Sequence, residues 1–151
     1  MKRISILIIT FLSTTTILLA QDNDSQIAEK AFNGWHKGEN SGNYDVVKSL
    51  ITDAFVTFEH PFTGRAKDQK AKATIEGMIS QREKSPNNLS FSEVTHTPAG
   101  NDHYFHFRST GEVMGKFQYD GYNIIIITVE NGKITGFKEY LGLIDPAWFQ
   151  G

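Results

Sequence analysis

Cysteine is absent from the 151-residue chain. Its absence excludes disulfide bonds, thiol catalysis and lipid attachment through an N-terminal cysteine. There is also no run of basic residues and no glycine-rich phosphate-binding loop, and the net charge is −2. Nucleic acids and nucleotides are therefore poor candidates as partners. We find no internal repeat and no linker, so the length fits a single domain.

The histidines do not form a metal-binding pattern. His103 and His106 differ in parity on one predicted strand, so their side chains point to opposite faces of the sheet. No acidic residue stands at ligand spacing with these two or with His96. We therefore expect neither a metal nor another cofactor.

The N-terminus has the three parts of a secretory signal. Lys2 and Arg3 precede an apolar run over residues 4–19, and the small residue Ala20 follows. An uncleaved membrane anchor is the alternative, but the run is short and is interrupted by hydroxyl side chains. Cleavage after Ala20 would leave residues 21–151 as one domain with a net charge of −4. We expect an exported bacterial protein, periplasmic or secreted, that is free of the membrane after cleavage.

The spacing of apolar residues predicts that most helices come before most strands. The predicted helices are a first that ends at Gly38, a second that begins after Asn43 and a third over residues 68–84. The predicted strands that come before the last hairpin cover residues 55–60, 89–97 and 104–114. This order predicts an α+β domain with its helices on one face of a mostly antiparallel sheet.

Residues 117–141 predict a β-hairpin. Residues 124–129 are β-branched throughout, which is typical of a strand that is buried on both faces. The Asn131-Gly132 pair favours a two-residue turn, because both central residues of such a turn need a positive φ.

Glu139 is the unusual residue of the returning strand. Strand alternation places it on the same face as Phe137 and Leu141, with Lys138 and Tyr140 on the other face. A carboxylate between two apolar neighbours costs free energy unless it is paired, exposed or used. Glu139 is therefore the first candidate for a functional residue.

Three motifs occur in an order that resembles one known superfamily. They are Phe32-x-x-Trp35-x-x-Gly38, then residues 55–62 (FVTFEHPF), and last residues 130–134 (ENGKI) followed by Lys138-Glu139-Tyr140. Together they resemble the nuclear transport factor 2-like superfamily, which includes ketosteroid isomerases, limonene epoxide hydrolases and SnoaL-like polyketide cyclases. The chain is most similar to the SnoaL-like and ketosteroid isomerase-like branch.

The resemblance implies a cone-shaped α+β fold, in which three N-terminal helices pack on a curved, mostly antiparallel sheet. It also implies an apolar pocket for a small apolar or amphipathic molecule. A homodimer that forms through the outer face of the sheet is a further expectation. Because this fold hosts enzymes and non-catalytic modules alike, function depends on the side chains in the pocket.

No catalytic set of the superfamily is complete in this sequence. His60 occupies the position of the ketosteroid isomerase base, while Ala31 and Ile125 occupy the positions of its oxyanion-hole Tyr and Asp. Glu139 lies at or near the position of the epoxide hydrolase base. Arg108 matches the arginine of the Arg-x-Asp pair in those hydrolases, but a threonine replaces the aspartate.

Glu139 and His60 are therefore the candidate catalytic residues. If the two converge on one cavity, we expect Glu139 to act as a general base that His60 assists. Alternatively, Glu139 is paired with Arg108 or Lys138 or lies at an open end of the sheet. For His60 the alternative is a structural role in the turn before Pro61.

Alternation and the resemblance together predict the substrate-binding side chains, which are Trp35, Phe58, Tyr119, Asn123, Ile125, Phe137 and Arg108. Tyr119 and Asn123 would orient a carbonyl or hydroxyl group, and Arg108 would hold an anion. The alternatives are core packing for Trp35, a half-exposed position for Tyr119 and a surface position for Arg108.

Three functions remain open at this point. The first is cofactor-free acid–base catalysis on a small, largely apolar molecule, by an isomerase, cyclase or hydrolase. The second is binding of such a molecule without chemistry, which the incomplete catalytic sets favour. The third is a protein-interaction module that dimerises through its sheet. A small or closed cavity would count against the first two.

Overall fold

The computed structural model describes residues 4–142, and it describes side chains from residue 23 onward. The helices are α1 (Ile4–Ser41), α2 (Asp45–Leu50) and α3 (Gln69–Lys84). The strands are β1 (Thr57–His60), β2 (Gly64–Lys67), β3 (Asn88–Ala99), β4 (Asp102–Val113), β5 (Phe117–Glu130) and β6 (Lys133–Leu141). Within the described part of the chain, no helix is long and apolar enough to cross a membrane.

The six strands form one sheet with the order β2-β1-β6-β5-β4-β3. Every neighbouring pair is antiparallel except β1 and β6, which run parallel. Register shifts interrupt the long strands between Ser92 and Thr95 and between Thr128 and Val129, and irregularities of this kind bend a strand and increase its twist. The predicted α+β class, with helices packed on a curved and mostly antiparallel sheet, is confirmed.

The core lies between the helices and the inner face of the sheet. Phe32 of α1 stacks on Phe105 of β4, with ring centroids 4.4 Å apart. The main contributors to this core are Ala28, Ala31, Phe32 and Trp35 from α1, Ile75 and Ile79 from α3, and Phe105, Phe107, Ile125, Ile127, Val129 and Phe137 from the sheet. A fully buried aliphatic or aromatic side chain contributes about 1.5–3 kcal/mol through the area it removes from water.

The predicted hairpin is confirmed, although its burial differs from the prediction. Asn131 and Gly132 have φ values of 53° and 72°, and Glu130 pairs with Lys133 across the turn. The prediction that residues 124–129 are buried on both faces is wrong. Within this run Ile125, Ile127 and Val129 are buried, whereas Ile124, Ile126 and Thr128 are only half-buried, because the helices cover one face of the sheet alone.

Gly38 does not end the first helix, contrary to the prediction. Helix α1 continues to Ser41, and Gly42 follows it with a φ of +69°, the left-handed conformation that glycine adopts readily after a helix. Gly38 instead lies against the ring of Tyr44, where a β-carbon would overlap the aromatic ring. Glycine is thus required at Gly38 by close packing and at Gly42 by backbone conformation.

Candidate functional site

A small cavity lies between the inner face of the sheet and the helices, with a volume of about 30 Å³. A single water needs roughly 10–15 Å³ on this measure, so the cavity holds two or three waters or a group of similar size. Its lining residues are Glu39, His60, Phe62, Arg82, Asn87, Leu89, Phe91, Ser109, Val113, Tyr119, Glu139 and Leu141. Seven of these twelve side chains are polar or ionisable, so the cavity is smaller and more polar than the expected apolar pocket.

The two candidate catalytic residues meet in this cavity. Strands β1 and β6 run parallel with Phe58 beside Phe137, so two residues further along His60 comes beside Glu139. Nε2 of His60 lies 3.3 Å from Oε2 of Glu139. The two residues are only 5% and 7% exposed. Glu139 is therefore paired with His60, and the alternative partners Arg108 and Lys138 are excluded by this geometry.

The hydrogen bonds of His60 define its tautomer. The backbone N–H of Phe62 donates to Nδ1 of His60 at 3.2 Å, so Nδ1 carries a lone pair and no proton. The remaining proton of the neutral ring must then be on Nε2, which faces Glu139. The contact at Nδ1 thus assigns the ring proton of His60 to Nε2, on the side that faces a carboxylate oxygen of Glu139. This arrangement fits Glu139 as the base and His60 as the group that orients it.

A second carboxylate, Glu39 at the end of α1, lines the same cavity. The Tyr44 hydroxyl donates to its Oε1 at 2.7 Å, and the Asn87 side-chain amide donates to its Oε2. Burial raises the pKa of Glu39, while the nearby Arg82 lowers it and Glu139 raises it further. Burial beside Glu39 raises the pKa of Tyr44 as well, so its hydroxyl stays protonated at neutral pH.

Arg82 of α3 is the cation of this cluster. Its Nη1 donates to Oδ1 of Asn87 at 3.1 Å, and its Nε lies 3.7 Å from Oε1 of Glu39. The residue is 8% exposed, and its Nε has no hydrogen-bond partner among the described residues. The cavity therefore contains two carboxylates, a guanidinium and an imidazole in close proximity.

Sequence reasoning missed Glu39 and Arg82, although a signal for each was present. On α1 the buried residues Phe32 and Trp35 are followed by Glu39 on the same helical face. On α3 the buried residue Ile79 is followed in the same way by Arg82. An ionisable residue that continues an apolar stripe by one turn is predicted to be buried, and a buried charge needs a partner or a role.

Four of the predicted substrate-binding residues belong to the core and do not line the cavity. Trp35 packs its ring 4.6 Å from that of Phe137 and is completely buried. Phe58 lies 6.1 Å from Phe137 in the same layer, and Ile125 is completely buried as well. For Trp35, Phe58, Ile125 and Phe137 a contact with substrate stays a prediction, because alternation identifies the inward face of a strand but not how far along it the cavity extends.

Tyr119 lines the cavity, whereas Asn123 lies behind it and contacts its hydroxyl. The Tyr119 hydroxyl donates to Oδ1 of Asn123, which also accepts the N–H of Gly142 at 3.2 Å. The Asn123 amide donates to Oγ of Ser109 at 2.5 Å. Asn123 is not among the cavity-lining residues, and its hydrogen bonds hold Tyr119 in place. Burial raises the pKa of Tyr119, which keeps its hydroxyl protonated.

Arg108 lies on the outer face of the sheet, away from the cavity. Its Nε and Nη2 donate to the two carboxylate oxygens of Asp120 at 2.8 and 2.7 Å, and its side chain is 39% exposed. The predicted role of Arg108 in binding a substrate does not fit this position. The surface alternative is the one that the structure supports.

A different polar chain connects α1 to β3 and β4. Nδ1 of His96 lies 3.0 Å from Oε1 of Glu29, and Nε2 of His96 lies 3.0 Å from Nδ1 of His103. We call Glu29, His96 and His103 the distal chain. None of the three lines the cavity of Glu139. Among the described residues, no group of three or more His, Asp or Glu side chains is placed to hold a metal ion.

Solved structures with a similar fold were found by comparison. A nuclear transport factor 2-like protein from Anabaena variabilis matches with a TM-score of 0.68 at 21% identity, over 82% of this chain and 92% of that chain. The chain has the nuclear transport factor 2-like fold. The predicted resemblance is thereby confirmed at the level of the fold.

Other proteins with this fold differ in the activities attributed to them. A putative polyketide cyclase from Pseudomonas putida matches with a TM-score of 0.58 at 14% identity, over 75% of this chain and 90% of that chain. An LEH-like epoxide hydrolase from Mycobacterium tuberculosis also has a TM-score of 0.58, at 12% identity, over 80% of this chain and 83% of that chain. No protein-family model and no curated protein matches the sequence. The nuclear transport factor 2-like fold therefore leaves function to be argued from the cavity.

Proposed function

We propose that the protein is a cofactor-free acid–base catalyst that acts on a small molecule in the cavity, with Glu139 as the general base. One observation carries the proposal: a buried carboxylate oxygen of Glu139 lies 3.3 Å from Nε2 of the buried His60, and both residues line one cavity. A base needs to be ionised, oriented and in reach of the atom whose proton it removes. The neighbouring His60 supports the orientation of Glu139, and the cavity supports its reach.

The simplest reaction of this site is an isomerisation by proton transfer. Glu139 removes a proton from a carbon next to a carbonyl group, the electron pair of the broken C–H bond forms a C=C bond, and the carbonyl oxygen becomes an enolate. When the deprotonated carbon lies between the carbonyl group and a C=C bond, the enolate is a dienolate, and protonated Glu139 returns the same proton to the far carbon of that former double bond. The double bond has then moved next to the carbonyl group, and no other reactant is consumed. His60 donates to Glu139 throughout and remains neutral.

The size of the cavity limits the substrate. About 30 Å³ accommodates a group of a few non-hydrogen atoms. So small a cavity counts against both catalysis on and binding of a whole, largely apolar molecule, and the proposal is therefore restricted to a small reacting group. Polar lining side chains also favour a substrate with a carbonyl or hydroxyl group over the largely apolar molecule that the sequence suggested. We propose that the reacting group of a small carbonyl compound occupies the cavity.

Exchange of carbon-bound hydrogen for deuterium tests the proposal without knowledge of the natural substrate. A panel of short ketones and aldehydes in D₂O would be followed by proton NMR with wild-type protein and with Glu139→Gln. We expect the variant to lose at least roughly 100-fold of any exchange rate, because a positioned base contributes about 10²–10⁴-fold. Glu59→Gln is the matched control, since Glu59 is the residue before His60 and pairs with Arg65.

Two outcomes of this experiment would contradict the proposal. One is an exchange rate in Glu139→Gln equal to that of wild type. The other is an equal loss in Glu139→Gln and Glu59→Gln, which would show a general effect on the fold. If the panel binds without exchange, the non-catalytic binding function replaces the catalytic one.

We also propose that a second copy of the chain packs on the outer face of the sheet. Tyr122 and Tyr140 are 63% and 39% exposed there. Ile124, beside Tyr140, and Ile126, the next outward residue of β5, are only half-buried. This apolar strip supports the expected homodimer. Analytical ultracentrifugation of Tyr122→Lys should show a weaker dimer than wild type, with the exposed helical substitution Gln81→Lys as control. A monomeric wild type would contradict the proposal.

Export is the remaining proposal, with residues 1–20 as the signal and residues 21–151 as the mature domain. The α1 side chains of the core, from Ala28 to Trp35, all come after the proposed cleavage site, so cleavage leaves their packing intact. Expression in a bacterium and mass spectrometry of the periplasmic fraction would test this. A full-length chain confined to the cytoplasm would contradict it.

A further inference from the structure

Arg82 has donors that the protein itself does not use. It is 8% exposed, and it donates a single hydrogen bond in the described part of the chain, from Nη1 to Asn87. Its Nε lies 3.7 Å from Glu39, too far for a hydrogen bond. A guanidinium has five N–H groups, so most of them remain available.

The hydrogen-bond partners of Glu39 explain why most N–H groups of Arg82 have no acceptor among the residues that the structure describes. The Tyr44 hydroxyl and the Asn87 amide occupy one oxygen each of the Glu39 carboxylate. Arg108 shows what an arginine with a fully available carboxylate does, because it binds both oxygens of Asp120. Arg82 has no such two-point partner, although an arginine fork is well suited to bind oxygen anions.

The unused donors belong to a residue that lines the same cavity as Glu139. We propose that Arg82 binds the carbonyl oxygen of the substrate and stabilises the negative charge that forms on it when Glu139 removes the proton. This inference rests on the proposed function. The substrate class is then a neutral, enolisable carbonyl compound.

Charge balance favours a neutral substrate over a carboxylate. Glu39 and Glu139 both line the cavity and would repel an anion that arrives before proton transfer. When Glu139 takes a proton from a neutral substrate, its negative charge moves to the carbonyl oxygen and the total charge of the cavity stays the same. A donor held in place beside a forming oxyanion lowers the barrier, since it needs no reorganisation during the reaction.

The sequence lacks the oxyanion-hole donors of the ketosteroid isomerases, and Arg82 would replace them. The oxyanion-hole positions of the ketosteroid isomerases hold Ala31 and Ile125 here, and both side chains are buried in the core. Neither can donate a hydrogen bond. Arg82 comes from a different element, helix α3, and supplies the missing donor from another wall of the cavity.

Acetate tests the inference, because it is a small planar anion that resembles the O–C–C part of an enolate. Its binding would be followed by ¹H–¹⁵N NMR, with neutral acetamide as the comparison ligand. Glu139→Gln imitates the state after proton transfer, in which residue 139 is uncharged. We expect acetate to bind Glu139→Gln about tenfold more tightly than wild type, whereas acetamide should show no such gain.

Arg82 substitutions in the Glu139→Gln background identify the group that binds the anion. Arg82→Met should reduce acetate binding by about tenfold or more, as expected for loss of a hydrogen bond to a charged group. Arg82→Lys should restore part of it. Because Arg82→Met leaves Glu39 without its cation, the same substitution combined with Glu39→Gln keeps the test valid if the first variant does not fold. Arg108→Met is the matched control and should bind acetate as its parent does.

The outcomes separate this inference from the proposed function. Acetate binding that is unchanged in Arg82→Met and in its Glu39→Gln combination would overturn the role of Arg82. If proton exchange nevertheless depends on Glu139, the proposed function stands without it. If acetate binding depends on Arg82 but no carbonyl compound exchanges its protons, the anion site stands and the proposed catalysis fails.

Discussion

Two glutamate–histidine pairs in this molecule differ in their surroundings. The side chains of Glu139 and His60 are 9% and 5% exposed and line a cavity. Those of Glu29 and His96 in the distal chain are 55% and 17% exposed, and neither lines that cavity. The atoms of the two pairs are at similar distances, 3.3 and 3.0 Å. Burial, an adjacent cavity and unused donors therefore distinguish the candidate site, and a glutamate–histidine contact alone does not.

Removing a glutamate should lower the free energy of unfolding much more at the cavity than at the distal chain, and this is the largest difference expected between the two regions. Glu39→Ala would remove the acceptor of Tyr44 and Asn87 and leave Arg82 as a buried cation without a counterion. Removing one partner of a buried pair typically costs about 3–5 kcal/mol. Glu29→Ala in the distal chain removes a carboxylate that is 55% exposed and should cost less than about 1 kcal/mol.

Urea unfolding at constant pH measures both free energies of unfolding. Equal losses of unfolding free energy in Glu39→Ala and Glu29→Ala would show that the buried Glu39 contributes no more to stability than the exposed Glu29 of the distal chain. Glu39→Gln is a useful addition, because it retains an acceptor for Tyr44 and should cost less than Glu39→Ala.

Lowering the pH is expected to have a smaller effect on folding stability, through His103 of the distal chain. Burial lowers the pKa of His103 from its ordinary value of 6.5, and His96 lowers it further, while Asp24, Glu29 and Asp102 raise it. As pH falls below 6.5, the unfolded chain binds a proton at His103 before the native protein does. Stability is therefore full above this pH and decreases as pH falls toward the folded-state pKa.

Urea unfolding between about pH 8 and about pH 5 measures this dependence. His103→Gln should lose less stability on acidification than wild type does. His106→Gln is the control, because His106 is exposed on the same strand and should leave the dependence unchanged. If stability fell equally steeply with pH in His103→Gln and in wild type, His103 would not be the group whose protonation lowers the stability.

Local patterns predicted the hairpin and the orientation of Glu139. Asn131-Gly132 determines the turn through backbone conformation alone, and strand alternation determines the face on which Glu139 lies. From the sequence, a contact between Glu139 and His60 was only one possible arrangement. It depends on the parallel pairing of β1 with β6, which no local pattern encodes.

The extent of the cavity was not predictable from the same patterns. Phe137 and Glu139 share one face of β6 and are roughly 7 Å apart along the strand, yet Phe137 is in the core and Glu139 is in the cavity. Whether a residue of β6 lies in the core or in the cavity depends on where helices α1 and α3 stop filling the space above the sheet. Glu39 and Arg82, which lie near the ends of α1 and α3, line the cavity at that position.

The protonation of His60 is the most direct test of Glu139 as a poised base, and it requires no substrate. Long-range ¹H–¹⁵N spectra of the five histidines at neutral pH report which ring nitrogen of each carries the proton. We expect the proton of His60 on Nε2, toward Glu139, and that of His96 on Nδ1, toward Glu29. A proton on Nδ1 of His60 with none on Nε2 would require a protonated Glu139, and would contradict its role as the base.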